Sequence, residues 1–292
     1  MITMIEVQHK LTNIKKHFSR IVSRASLVLM VLLISGCSTF NFIFERLDWI
    51  TLWRLDSMFD LNEAQEDQLR PDLEALQLWM REQGFPETIS QLEVLIELWD
   101  ADKPEAAYLH LMSSMKSLNN MYLNAMKEGV VKFSMGLTEH NAQHYREYSN
   151  EQQEDWFDSI RSLDARIENE SERLEDWFGH LNDHQISLIE NWASLTENEL
   201  QTRIDNHVSW REAYLHVALK RNALLTRAWI DDLSIFWTPE YKKLKKHNDQ
   251  QRQALLFELF PTLSLKQKKH AREHVEDWIE KLRDTLPENH RD

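Results

Sequence analysis

The sequence predicts an all-α protein of about nine helices, arranged as antiparallel hairpins in an elongated bundle or short solenoid, with no sheet. Apolar residues recur at steps of three and four along nearly the whole chain beyond residue 40, and no run alternates with a period of two. Many of these stripes are preceded by a Ser, Thr or Asn with Gln or Glu three positions on, the signature of a capped helix start. Eleven Trp and twelve Phe against five Gly in 292 residues suit helix-on-helix contacts and fit poorly with a turn-rich β-fold. Short connections then make sequential neighbours antiparallel.

The first element is not a core helix. Lys10, Lys15, Lys16, Arg20 and Arg24 precede an uncharged apolar run from Ala25 to Leu33, and Ile34-Ser35-Gly36 stands before Cys37, the single cysteine of the chain. Basic region, short apolar core and small residues at a cut are the marks of a secretory signal over residues 1–36. An apolar stretch this short falls below the roughly 20 residues that a membrane-spanning helix needs. Ile-Ser-Gly-Cys resembles the bacterial lipobox. That resemblance implies cleavage between Gly36 and Cys37, acyl chains on Cys37 and attachment to a membrane through them. Ser38 is similar to what outer-membrane lipoproteins carry after the cysteine. The expected address is the outer membrane, facing the periplasm, with the periplasmic face of the inner membrane as the alternative.

Without the signal the chain retains 29 Lys and Arg against 47 Asp and Glu, a net charge of −18. Such acidity argues against a nucleic-acid partner, which needs basic side chains to neutralise phosphate, and against a polybasic grip on anionic lipid. No second cysteine exists, so no intramolecular disulfide can form even in an oxidising compartment. Residues 37–292 are expected to form one helical domain, with a soft division near 179–196.

Phe42 to Phe59 carries apolar side chains almost all round, as in a helix central to the core or close to a membrane. Asn62 and Gln65 cap the next helix, Pro71 is expected to bend or interrupt it, and Gly84 to end it. Pro86 opens a helix through Ile89, Ile96 and Trp99. A long helix follows from about Pro104 to Gly136. Thr138 begins a short one ending near Tyr148, Ser149 and Gln152 cap another through Trp156, Ile167 and Trp177, and Gly179 closes it. Asn182 with Gln185 and Thr196 with Glu199 cap two more, Leu181 and Ile186 being placed to staple the first. From Leu200 the stripe runs to Phe236 without a break for about 40 residues, or roughly 60 Å of helix. Thr238-Pro239 opens a helix that stops at Pro261, and Ser264 with Gln267 opens the last, through Val275 and Trp278.

One phrase recurs: LNEAQ at Leu61, LTEHN at Leu137, LNDHQ at Leu181 and LSLKQ at Leu263, at intervals of 76, 44 and 82 residues. The intervals lie near multiples of about 40, the length of a helical hairpin, so the phrase marks either a repeated hairpin or simply any capped helix. Its LxxxQ form resembles the LTxxQ motifs of the periplasmic chaperones related to Spy and CpxP. A longer likeness rests on Trp49, Trp53, Arg54, Leu55, Asp56, Phe59, Asp60, Leu61 and Gln65. These resemble the mature start of an uncharacterised family of helical bacterial lipoproteins, with Met58 where that family has an aromatic. The resemblance implies class and address and no mechanism. Trp49, Trp53, Arg54, Asp56, Phe59 and Gln65 are therefore the candidate site. Arg54 is expected to pair with a carboxylate such as Asp60 or one on a neighbouring helix while stacking on an indole, either as an internal network or as an anchor for a partner.

Catalytic chemistry finds little support. His270, Glu273 and His274 match the HxxEH pattern, but a catalytic zinc needs a third protein ligand and the surroundings are strongly basic. His140 and His144 share a helix face with the look of a surface pair. No phosphate loop, nucleophile elbow or CxxC motif is present, and no cofactor or metal is implied. The expectation is a non-enzymatic, protein-binding or chaperone-like scaffold of the cell envelope holding an envelope protein partner or client. The alternative is a peptidoglycan or metal-dependent envelope hydrolase.

Overall fold

A computed structural model describes residues 36–158, 162–196 and 199–287. Ile34 and Ser35, with the rest of the signal upstream, lie outside the described residues, as do residues 159–161, including Ile160. The chain divides into two compact units, residues up to Arg46 and residues from Leu47 onward. The first holds α1 (Gly36–Phe44), closed by Arg46, whose guanidinium sits 3.9 Å from the Phe42 ring centre. The expected helix from Phe42 to Phe59 is thus divided at Glu45–Arg46.

The second unit is built of helices, with no strand among its described residues, and packs as a bundle. Its helices are α2 (Leu47–Phe59), α3 (Glu63–Trp79), α4 (Phe85–Asp100), α5 (Pro104–Gly136), α6 (Glu139–Asp158) and α7 (Leu163–Phe178). They continue as α8 (Asp183–Leu195), α9 (Leu200–Leu219), α10 (Ala223–Asp231), α11 (Pro239–Leu259) and α12 (Leu265–Asp284). Capping boxes at Asn62, Asn182 and Ser264 open α3, α8 and α12, and Thr238 caps α11 with Pro239 at its first position. Gly179 closes α7 at φ 73°, a conformation that L side chains adopt only under strain. Leu181 and Ile186 meet in one core cluster, as the staple requires.

Several expected boundaries move, each for a local reason. Pro71 does not interrupt α3; it is exposed, so water can serve the carbonyl that its missing N–H leaves unbonded. Gly84 does not end a helix either. Met80–Gly84 forms one π-turn that leads directly into α4, and a Cβ on Gly84 would lie 3.0 Å from both Trp79 Cζ3 and Tyr122 Oη. The glycine answers to close packing. Ser149 does not open a helix, because its hydroxyl is committed to His207 Nε2 at 2.8 Å, and α6 runs on to Asp158. The cap that does operate is Ser162, which accepts from Ala165 N. Thr196 ends α8, and α9 starts after Glu199 with no side-chain cap. The stripe from Leu200 to Phe236 is broken at Arg221 (φ 52°), where Asn222 caps α10, and again at Asp232, which caps a 3-10 turn. The stripe reads as continuous because α9 and α10 both pack on α5.

Two core clusters occupy this unit. One gathers Leu52, Phe59, Leu61, Leu69, Leu137 and Tyr145, the other Leu174, Phe178, Leu181, Ile189, Leu263 and Ala271. They correspond: α2–α3 with α5–α6 build the first, and α7–α8 with α11–α12 build the second in the same order. The helices between exchange sides. α4 packs on α12, with Trp99 Nε1 donating to Lys268 O at 3.0 Å and Arg272 pairing with Asp100 at 2.9 Å. α9 packs on α5 and α6, where Tyr214 joins the first cluster and Arg211 Nη1 donates to Asn150 Oδ1 at 2.7 Å. α5 serves both clusters, with Tyr108 in the second and Phe133 against the first. A solenoid, in which each repeat touches its neighbours alone, does not make such contacts; a bundle does.

Candidate functional site

The four LxxxQ-type phrases are the structural key to the stretch that ends at Gln65. Each opens with a buried leucine, and they meet in two pairs. Gln65 Nε2 donates to Asn141 Oδ1 at 2.8 Å and to Gly136 O at 2.9 Å. Asn141 Nδ2 answers with a bond to Asp60 O at 3.0 Å and one to Phe59 O at 2.8 Å. In the second pair Gln267 Nε2 donates to Gln185 Oε1 at 2.8 Å and to His180 O at 3.0 Å. Gln185 Nε2 reaches Gln267 Oε1 at 3.1 Å and Thr262 Oγ1 at 3.2 Å, with Thr262 O at 3.4 Å. In every case the amide three residues into a helix crosses to the carbonyl just before the partner phrase's leucine. These clasps are mutually bonded amides, fully buried at Gln185 and nearly so at Asn141. The recurring unit is therefore a pair of hairpins. Phrases one and three, and two and four, stand 120 and 126 residues apart. LTEHN at Leu137, degenerate in sequence, is a full member with Asn141 in the glutamine's place.

The rest of the candidate stretch divides by face. Phe59 is core, stacked on Tyr145 with centroids 4.6 Å apart and edge-on to Phe133 at 5.1 Å. Asp56 Oδ1 accepts from Leu61 N at 3.0 Å, tying off the end of α2 across Asp60, which holds φ 50°. Arg54 does not pair with Asp60, whose carboxylate is taken by His140 Nε2 at 2.6 Å. Nor does it stack on an indole; its guanidinium lies 5.7 Å from the phenol ring centre of Tyr148. Trp49 and Trp53, one turn apart on α2, point away from the core and are 60% and 57% exposed. The structure thus unites Asp56, Phe59 and Gln65 in an internal network and leaves Trp49, Trp53 and Arg54 on its outer side. Of Gly36 and Cys37 only the backbone is described, in α1.

The histidines are engaged in the fold. His144 Nδ1 lies 3.2 Å from Met58 O, so His140 and His144 together close the end of α2. His274 accepts from Trp278 Nε1 at 3.1 Å, and burial, ahead of the charges around it, lowers its pKa. Among the described residues no group of three or more His, Cys, Asp or Glu side chains could hold a metal ion. Burial raises the Glu170 carboxyl against the opposing hydrogen bond and charge of Arg173, and burial lifts the Tyr214 hydroxyl to about 12. Tyr214 Oη lies 3.1 Å from Ser134 Oγ in the core, a packing position.

The model of a family of unknown function, DUF6279, matches residues 57–242, from the end of α2 into the first turn of α11. The match contains both halves of the first clasp and the Gln185 side of the second. It covers more than half of the chain, which therefore belongs to that family. No curated protein and no solved structure matches the chain.

Proposed function

We propose that this DUF6279 member is a lipid-anchored, non-enzymatic scaffold on the periplasmic face of the outer membrane, where it holds an envelope protein partner or client. The observation that carries the reading is the outer side of α2. Leu52 and Phe59 fix one side of this helix in the core, while two indoles on the adjoining face meet solvent with an arginine beside them. Trp and Arg are the residues that most often dominate binding interfaces, and large apolar rings have no folding reason to face water. The address rests on the lipobox-like Ile34 to Cys37, with Ser38 behind it. No helix among the described residues is long and apolar enough to cross a membrane. The LTxxQ likeness adds a chaperone-like character, since in both clasps the motif's amide ties hairpins into a frame on which side chains can be displayed.

The test is photocrosslinking in cells, with a photoreactive side chain in place of Trp49 or Trp53 of the full chain. Leu224 and Leu265, 80% and 85% exposed, serve as control positions. Discrete protein adducts from positions 49 and 53 and none from 224 and 265 are expected. Lipid and self-adducts alone, or the same adducts from all four positions, would defeat the proposal.

A further inference from the structure

A cleft of about 150 Å³ opens between α9 and the start of α11, lined by Arg203, Asn206, His207, Trp210, Trp237 and Tyr241. None of the described lining residues carries a carboxylate, although the chain as a whole has a net charge of −14. Arg203 has no ion-pair partner among the described residues, and its Nε is buried without a hydrogen bond. The described acids flanking it in sequence are held by other side chains, Asp205 by Gln201 Nε2 at 2.7 Å and Glu199 by Thr202 Oγ1 at 2.8 Å. A second guanidinium lies close by. Burial first, and then the charge of Arg203, lower the pKa of Arg166, whose Nη1 donates to Thr196 O at 3.0 Å. Two neighbouring cations with no ion-pair partner among the described residues make, in an acidic protein, a local field that attracts an anion.

The remaining walls are donors and rings. Asn206, 7% exposed, uses its Oδ1 to accept from Thr238 N at 2.9 Å, and its amide nitrogen bonds to no described residue. The indole nitrogens of Trp210 and Trp237 and the Tyr241 hydroxyl likewise make no hydrogen bond among the described residues. Trp237 and Tyr241 stand edge to face, centroids 5.2 Å apart. Trp210 is held from behind by Tyr214, stacked at 5.8 Å, and by Trp229 at 5.7 Å. The walls are therefore rigid. No aliphatic side chain is among the described lining residues, so an apolar peptide side chain would gain little there. A polar ring gains on both counts, with its C–H edges on the electron-rich ring faces and its hydroxyls on the free donors. A volume below the roughly 300 Å³ of small-molecule sites limits the occupant to one ring.

We propose that this cleft binds a carboxylated monosaccharide unit, free or at the end of a glycan, with Arg203 taking the carboxylate and the rings of Trp210, Trp237 and Tyr241 enclosing the sugar. The planar guanidinium matches a carboxylate in geometry, and the amide nitrogen of Asn206 can donate to a hydroxyl of the sugar.

The test follows the indole N–H resonances of Trp210 and Trp237 in the ¹⁵N-labelled full chain during titration with glucuronate, glucose, acetate and a short peptide with a free C-terminal carboxylate. Glucuronate is expected to shift both resonances, to bind at least about tenfold more tightly than glucose, which lacks the charged contact worth about 1.5–3 kcal/mol, and to bind more tightly than acetate or the peptide, which lack the sugar ring. Arg203→Gln should remove that preference, and Arg203→Lys should restore part of it. A uronate-ended trisaccharide binding more tightly than the monosaccharide would assign the glycan end, and equal binding the free sugar. No shift with glucuronate, equal binding of glucose or acetate, tighter binding of the peptide, or an unchanged preference in folded Arg203→Gln would overturn the proposal. Should Arg203→Gln fail to fold, the contrast between glucuronate and glucose in the unsubstituted chain decides alone.

Discussion

Replacing Gln185 with alanine gives the sharpest check on the amide clasp. Its Oε1 accepts from Asn182 N at 3.0 Å and from Gln267 Nε2 at 2.8 Å, and its Nε2 reaches Gln267 Oε1 and Thr262. After the substitution Gln267 keeps His180 O and Ser264 N, but Asn182 N–H at the helix start is orphaned. Each lost bond costs about 0.5–1.5 kcal/mol, and the space left by a fully buried side chain adds to that. The expected loss is therefore about 3–5 kcal/mol, seen as a lower urea midpoint at unchanged slope by circular dichroism. Gln267→Ala alone should cost a similar amount. The double variant should cost about 1–2 kcal/mol less than the sum, because each single change already breaks the mutual bonds. Gln185→Ala and Asn141→Ala share no partner, so their effects should add. A loss below about 0.5 kcal/mol for Gln185→Ala, or strict additivity with Gln267→Ala, would refute the clasp as a source of stability.

Other consequences follow from single residues. Trp49→Ala and Trp53→Ala should change stability by less than about 0.5 kcal/mol, since both side chains face solvent, whereas Phe59→Ala should cost about 3–5 kcal/mol in the same denaturation assay. Arg221→Gly should stabilise the chain by up to about 1 kcal/mol, because φ 52° suits glycine and strains arginine; a destabilised variant would place the break between α9 and α10 elsewhere. His207 has its pKa depressed by burial and then by Arg211, so the folded state favours its neutral form. Its stabilisation is present above the ordinary value of 6.5 and is lost as pH falls through the depressed one. Folded His207→Gln should therefore show a shallower loss of stability on acidification from 6.5 down through the depressed value, and an unchanged pH profile would contradict the assignment.

Much of this architecture was legible in local chemistry. Asn62, Asn182, Ser264 and Thr238-Pro239 cap helices wherever they occur, because the bonds they make lie within one turn. Gly179 ends its helix for an equally local reason. What stayed hidden depends on partners far away in the chain. Ser149 has the form of a cap until His207 claims its hydroxyl, and Gly84 has the form of a terminator until Tyr122 is placed against it. The amide pairs join residues 76 and 82 positions apart, so LTEHN could not be recognised as a full partner from its own five residues. Asp60 has the form of a partner for Arg54 until His140, 80 residues downstream, takes its carboxylate. The cleft at Arg203 left no motif; an unbroken apolar stripe concealed the turn at Asn222. The two cores with their exchanged helices are likewise a property of long-range packing.

The account of address and trade depends on Cys37 carrying acyl chains. Intact mass analysis of the protein purified from its own membranes tests this directly. The expected species begins at Cys37 and carries the added mass of the lipid, and Cys37→Ala should lose both the lipid label and the membrane association. A chain that retains residues 1–36 with a free thiol at Cys37 would contradict the account.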